Sequence, residues 1–126
     1  MKETNIETIE INGEKFVKLA DMNKNQKATE LDGMKYCIVR TYSAGVFAGY
    51  VESRNGREVV IRNVRRIWYW DGANSLSELA KTGTAKPSNC KFAVLVDKIE
   101  VMEAIEIIEC TETAKKSIED VKEWKN

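Results

Sequence analysis

Apolar and polar positions alternate along this chain in short stretches separated by Asn-Gly and Asp-Gly pairs, the pattern of an antiparallel β-protein. In residues 6–19, Ile6, Ile9 and Ile11 precede Asn12-Gly13, and Phe16, Val17 and Leu19 follow it. Asn-Gly accepts the positive φ angles of a type I′ turn, so the spacing predicts an N-terminal hairpin. Residues 21–33 are polar and aperiodic and read as a connection or a short polar helix. From Tyr36 onward the runs YCIVRTYS, VFAGYVES, REVVIRNV and RRIWYW predict a meander. Asn55-Gly56 joins 46–53 to 57–64, and Gly45 and Gly49 allow bends or close backbone approach.

Asp71-Gly72 ends the aromatic strand. Ser75 and Glu78 form a capping box ahead of Leu76, Leu79 and Ala80, with Gly83 placed to stop a short helix. After Pro87, FAVLV (92–96) reads as a buried strand, and residues 99–108 alternate as a strand more than they suit a helix. Thr111 can cap a last helix whose Ala114, Ile118, Val121 and Trp124 form one apolar stripe. The expectation is one α+β domain over 1–126, with an N-terminal hairpin and polar connection (1–33), a β-rich core with an antiparallel sheet (34–110) and a C-terminal helix (111–126).

Composition narrows the chemistry. The 126 residues include three cysteines and no histidine. Without histidine, the usual general base at neutral pH and the commonest zinc ligand are both missing, so Ser-His-Asp, Cys-His and His-metal chemistries are excluded. Cys37, Cys90 and Cys110 cannot all pair and show no CxxC spacing, which makes a disulfide framework unexpected. No apolar run approaches the roughly 20 residues of a membrane helix, and the polar, acidic start lacks signal-peptide character, so a soluble intracellular protein is expected.

The balanced charge, 20 basic against 20 acidic residues, conceals a strong segregation. Net charge is −2 over residues 1–33, +6 over 34–96 and −4 over 97–126. All six arginines lie between Arg40 and Arg66. A guanidinium binds phosphate bidentately and stacks on flat rings, so the middle segment is equipped for phosphate recognition, although arginines on exposed strand faces also simply solubilise a sheet.

The densest chemistry is RNVRRIWYWDGANSLSELA, residues 62–80. On a strand, Arg66, Trp68 and Trp70 fall on one face and Ile67 and Tyr69 on the other, so a purine could stack on an indole beside a guanidinium. Equally, Trp68 and Trp70 could be core residues. The Asp71–Ser75 loop leads into a helix N-terminus that favours an anion only weakly, and no GxGxxG or GxxxxGK[ST] motif occurs. Glu100, Glu103, Glu106 and Glu109 read as a solvated face.

The phrases YCIVRTYSAGVFAGYVE, NGREVVIRNVRRIWYWDGANSLSELA, KPSNCKF and AIEIIECTETAKKSIEDVKEW, spanning Tyr36 to Trp124, resemble the phage-encoded Thoeris anti-defence sponge family. The resemblance implies a β-rich homodimer or larger homo-oligomer in the host cell cytoplasm. It would bind cyclic ADP-ribose isomers made by bacterial TIR-domain sensors and sequester them without cleavage or cofactor. Some members also take cyclic dinucleotides or trinucleotides from CBASS defence.

Such a ligand offers an adenine, two riboses and a pyrophosphate. On residue chemistry, the candidates are Trp68, Trp70 or Phe47 for stacking and Arg57, Arg65 and Arg66 for phosphate. Ser43, Asn74 and Asn89 are candidates for ribose or base edges. No metal ligand and no catalytic residue is assigned. A single-stranded nucleic-acid or protein-interaction module is the alternative that the same arginine and tryptophan content allows, and a hydrolase using a carboxylate such as Asp71 is a further one.

Overall fold

The meander forms as the alternation predicts: β1 (Lys35–Thr41), β2 (Val46–Asn55) and β3 (Glu58–Tyr69) pair in sequence as antiparallel neighbours. The computed structural model describes residues 26–125, so the hairpin expected at Asn12-Gly13 lies outside the described residues. Asn55 pairs with Glu58 across the second Asn-Gly, as expected. β3 is one twelve-residue strand where the sequence suggests two. Asn63, at φ +46°, sits in a register shift against β2 that absorbs the polar interruption without ending the strand. Opposite this shift a Cβ on Gly49 would lie 2.8 Å from Ile61 and 2.9 Å from the Arg62 carbonyl, so the close approach anticipated for Gly49 is real.

Ser75 caps α1 (Leu76–Thr82): its Oγ accepts from the Glu78 N–H at 3.1 Å, while the Glu78 carboxylate accepts from the Asn74 N–H at 3.0 Å. A short 3₁₀ turn (Pro87–Asn89) leads to β4 (Lys91–Phe92), β5 (Val96–Val101) and β6 (Ala104–Glu109). The run FAVLV is not one buried strand. β3 changes edge partner there, from β4 beside Ile67 and Tyr69 to β5 beside Val59–Val64, and Val94, Leu95 and Val96 are exposed across the switch. The stretch 99–108 is strand as expected, but Met102 and Glu103 divide it.

The last helix, α2 (Glu112–Asp120), is capped by Thr111 Oγ1 at the Ala114 N–H, 3.1 Å away. It ends earlier than expected because Val121 turns extended. Trp124 therefore leaves the helical stripe; its N–H donates to the Phe92 carbonyl at 2.9 Å and its ring lies under the Lys91 ammonium.

β5 and β6 join opposite sides of the meander, because β5 pairs with β3 while β6 pairs with β1. The corner between them is tied at both ends: Ala104 N–H donates to the Arg57 carbonyl at 3.0 Å, and Tyr42 N–H donates to the Glu103 carbonyl at 2.9 Å. The sheet is thus curled, and strand alternation divides its apolar residues into two cores. Val39, Phe47, Val59, Ile61, Val64, Val101 and Ala104 cluster on one side. Tyr36, Ile38, Ala48, Tyr50, Ile67 and Phe92 pack on the other, against Leu79 and Ala80 of α1 and Ala114 and Ile118 of α2. The expected α+β architecture holds, with both helices on one face. No helix among the described residues is long and apolar enough to cross a membrane.

Candidate functional site

β3 carries the two adjacent arginines of RRIWYW to opposite faces. Arg66 is the cross-strand neighbour of Phe47, and its guanidinium lies 4.7 Å from the Phe47 ring centre. Trp68, two residues on and on the same face, brings its ring centre to 5.5 Å from that guanidinium. Phe47 is fully buried and forms a floor, whereas Trp68 is 60% exposed. The register that sets Val46 against Ile67, carried one residue further, puts Gly45 beside Trp68, with no side chain to cover the indole. Arg66 is thereby held between a buried ring and an exposed one.

A buried nitrogen without a hydrogen-bond partner sets Arg66 apart from the other arginines. Arg40 pairs with Glu106 at 2.9 Å and Arg62 with Glu52 at 3.1 Å, while Arg54 donates to the Gly56 carbonyl. Among the described residues no carboxylate pairs with Arg66, and its buried Nε has no hydrogen-bond partner. A positioned, uncompensated guanidinium beside an exposed indole can take an anion while the indole stacks a planar ring.

Arg65 is not a phosphate ligand. It is 5% exposed and faces the helices, where Nε donates to the Ala93 carbonyl (3.0 Å), Nη1 to Ile118 (3.0 Å) and Val121 (2.8 Å), and Nη2 to Phe92 (3.2 Å). Burial lowers its pKa. The same alternation that sends Ile67 inward sends Arg65 inward, so this role was readable from parity. Arg57 lies exposed at the β2–β3 hairpin end, where its carbonyl serves the β5–β6 corner. The three arginines expected to converge on one phosphate are therefore dispersed: one clasps the core, one sits at the hairpin end and one stacks beside Trp68.

Trp70 also departs from the expected face. β3 ends at Tyr69, and Trp70, half-buried, packs against the helix-side core. Ser43 occupies the β1–β2 turn and donates to Glu103 at 2.5 Å. Asn74 gives its N–H to the α1 capping box. Asn89 donates to Asp71 at 3.1 Å, inside a second, purely polar cluster in which Asp71 also accepts from the Gly72 N–H at 2.8 Å and Thr84 donates to the Asp71 carbonyl. The Asn89 amide, then the Gly72 N–H, hold the Asp71 carboxyl below its ordinary range.

Of the nine candidates, Phe47, Arg66 and Trp68 come together. Tyr42, outside the nine although the hydroxyl-rich Arg40–Ser43 run before Gly45 suits ribose and phosphate groups, is 79% exposed on a turn fixed by Thr41 Oγ1 donating to the Gly45 carbonyl at 2.7 Å and accepting from the Ala44 N–H at 3.0 Å. A depression of about 200 Å³ lies elsewhere, between Ser53–Asn55, Glu58–Val60 and Glu100–Met102, and contains none of the nine. Among the described residues no three cysteine or carboxylate side chains cluster as a metal site would require.

No curated protein and no solved structure matches the chain. The family model described as a domain of unknown function (DUF6948) matches residues 34–118, which hold all six strands, the first helix and most of the second, and the chain belongs to that family.

Proposed function

We propose that this protein is a non-catalytic, self-associating trap for cyclic ADP-ribose-type signals in the host cytoplasm, as the Thoeris anti-defence resemblance implies, with the ligand held at Phe47, Arg66 and Trp68. The carrying observation is the Arg66 guanidinium, placed by two rings, free of any described acidic partner and next to a largely exposed indole. The adenine stacks on Trp68, and the pyrophosphate supplies the anion for Arg66. Stacking of this kind contributes roughly 1–3 kcal/mol per base. Sequestration works by mass action, so the chain must bind tightly and be abundant relative to the signal; it need not turn the signal over. Cyclic dinucleotides and trinucleotides carry the same base and phosphate groups and belong to the same proposal.

The test is calorimetric titration of the full chain with a panel of cyclic ADP-ribose isomers and cyclic oligonucleotides, followed by heating and chromatography of the released ligand. Saturable binding and recovery of the intact cyclic compound support the trap. Recovery of linear ADP-ribose would move the protein among the hydrolases, and absence of binding to every member of the panel would end the nucleotide reading.

A second reading, a single-stranded nucleic-acid or protein-interaction module, draws on the exposure of both Trp68 and Tyr42. It requires oligonucleotide affinity that falls steeply with salt, or protein binding that Trp68→Ala abolishes.

A further inference from the structure

Ile67 of β3 and Phe92 of β4 are paired, and both pack in the helix-side core. Their chain neighbours Trp68 and Lys91 therefore fall on the opposite face, the one that Arg66 and Phe47 share. Beyond this pair the register shifts, so that Tyr69 stands opposite Lys91 and Trp68 is the extra residue of β3. The shift interrupts the alternation: Trp68 and Tyr69 are consecutive, yet 60% and 51% exposed. Trp68 thereby has a cation in each of two directions. Arg66 lies two residues back along β3, and Lys91 lies across on β4.

Among the described residues no carboxylate pairs with Arg66 or with Lys91. Arg66 rests on the Phe47 ring, while the exposed Lys91 places its ammonium 5.4 Å from the centre of the Trp124 ring. A cation over an exposed ring is held weakly, so the flexible lysine stem can bring it to an anion beside Trp68. Two residues along a strand and one strand across separate the two backbone positions by about 8 Å. Each cation thus reaches the indole from its own side. A pyrophosphate carries its two phosphates one oxygen apart at one end of a nucleoside, whereas a nucleoside 3′,5′-bisphosphate carries one at each end of the ribose.

We propose, on the nucleotide reading of Arg66 and Trp68, that Lys91 is a second phosphate-binding residue and that the ligand unit engaging both cations is a nucleoside 3′,5′-bisphosphate. The base stacks on Trp68. Arg66 offers its planar fork to one phosphate, and Lys91 offers a point charge to the other. This unit occurs as a free nucleotide and as an internal nucleotide of a single strand, where ring stacking between backbone cations is the usual mode of recognition.

Calorimetric titration of the full chain with 5′-AMP, ADP and adenosine 3′,5′-bisphosphate tests it. ADP and the bisphosphate have the same number of phosphate groups, so they differ in placement and not in count. The bisphosphate should bind at least about tenfold more tightly than either. Lys91→Ala should bring it to within about threefold of 5′-AMP and leave 5′-AMP itself unchanged, while Lys91→Arg should keep most of the gain. Lys91 is exposed, so both variants should show the parent's circular dichroism spectrum. Linear triadenylate, whose central nucleotide has the same two phosphates, separates the sources: binding tighter than the bisphosphate assigns a strand, and weaker binding assigns the free nucleotide. ADP binding as tightly as the bisphosphate, or a gain that survives Lys91→Ala, overturns the second phosphate position while the nucleotide reading of Trp68 stands. Absence of binding by every one of these compounds overturns both.

Discussion

Arg65 and Arg66 are consecutive in β3 and do opposite work: the first spends every nitrogen on carbonyls of β4, α2 and their flanks, while the second stacks between Phe47 and Trp68 with no described acidic partner. Two of the Arg65 bonds go to Ile118 and Val121 at the C-terminal end of α2, where a cation also meets the negative end of the helix dipole. Arg65→Leu should therefore lower stability by about 3 kcal/mol or more, because it strands buried carbonyls as well as removing the bonds. Arg66→Ala, which uncovers Phe47, should cost only about 1 kcal/mol of stability and weaken cyclic-nucleotide binding by at least about tenfold. Equal losses of stability in the two variants would contradict this division.

The polar cluster around Asp71 leads to a second expectation. Gly72 has φ +86°, and a Cβ there would lie 2.5 Å from the Lys86 nitrogen and 2.6 Å from the Ala85 nitrogen. Backbone atoms cannot step aside as a flexible side chain can. Gly72→Ala should cost about 3 kcal/mol, lowering the melting temperature by roughly 10 °C. A melt within a degree of the parent would show that the 84–86 segment yields freely and that this loop is not a fixed frame.

Parity and turn chemistry made much of this architecture legible. Asn55-Gly56, the Ser75–Glu78 box and the Thr111 cap each appear where their residues are written, since each signal is local. The errors fall where tertiary context decides. FAVLV looks buried because apolar runs usually are, but here it bridges two edge partners of one long strand. Trp124 keeps helical spacing in the sequence although the helix stops at Asp120. Arginine clustering in sequence suggested clustering in space, yet alternation separates Arg65 from Arg66, and the hairpin carries Arg57 to its far end. The Phe47–Arg66 pair was not legible, because it depends on a cross-strand register displaced by the shift at Asn63.

The pH dependence of stability should be a plateau with falls at both extremes. Asp71 (ordinary value 3.8), Glu109 and Glu112 (4.5) all have lowered pKa values in the folded chain, through the Asn89 amide, the Lys35 ammonium and the Thr29 N–H respectively. A lowered acid stabilises the fold above its ordinary value, and that contribution disappears as pH falls through the folded value. At the other end Glu109 raises Lys35, whose contribution is complete below 10.5 and lost as pH rises through its folded value. Burial pushes the Cys37 and Cys110 thiols up to about 11 and about 12 from 9.0, so stability also drains as the unfolded thiols ionise. With no histidine in the chain, the urea midpoint should stay flat between about pH 5 and 8. Asp71→Asn should lessen the acid slope. A midpoint that climbs or drops across the neutral range would be inconsistent with this set of groups.

Trp68 separates a binding surface from a packing one. It is the most exposed of the three indoles; Trp124 is 40% exposed, its backbone N–H bonded to the Phe92 carbonyl and its ring facing Lys91, and Trp70 packs on the core. Burying an exposed ring needs a partner, and the Arg66 guanidinium that lies over Trp68 is itself stacked on Phe47. A planar ligand adding to this stack would cover the indole, quench its fluorescence and keep the guanidinium fixed. Trp68→Ala should therefore preserve the melting temperature to within about 2 °C while weakening nucleotide binding roughly 5- to 150-fold, the span of one base stack. Trp124→Ala, which keeps its backbone bond to Phe92, should leave nucleotide binding unchanged. Ligand quenching that persists in Trp68→Ala and vanishes in Trp70→Phe would relocate the site to the Asp71 loop, where Asn74 and Asn89 would again become candidates.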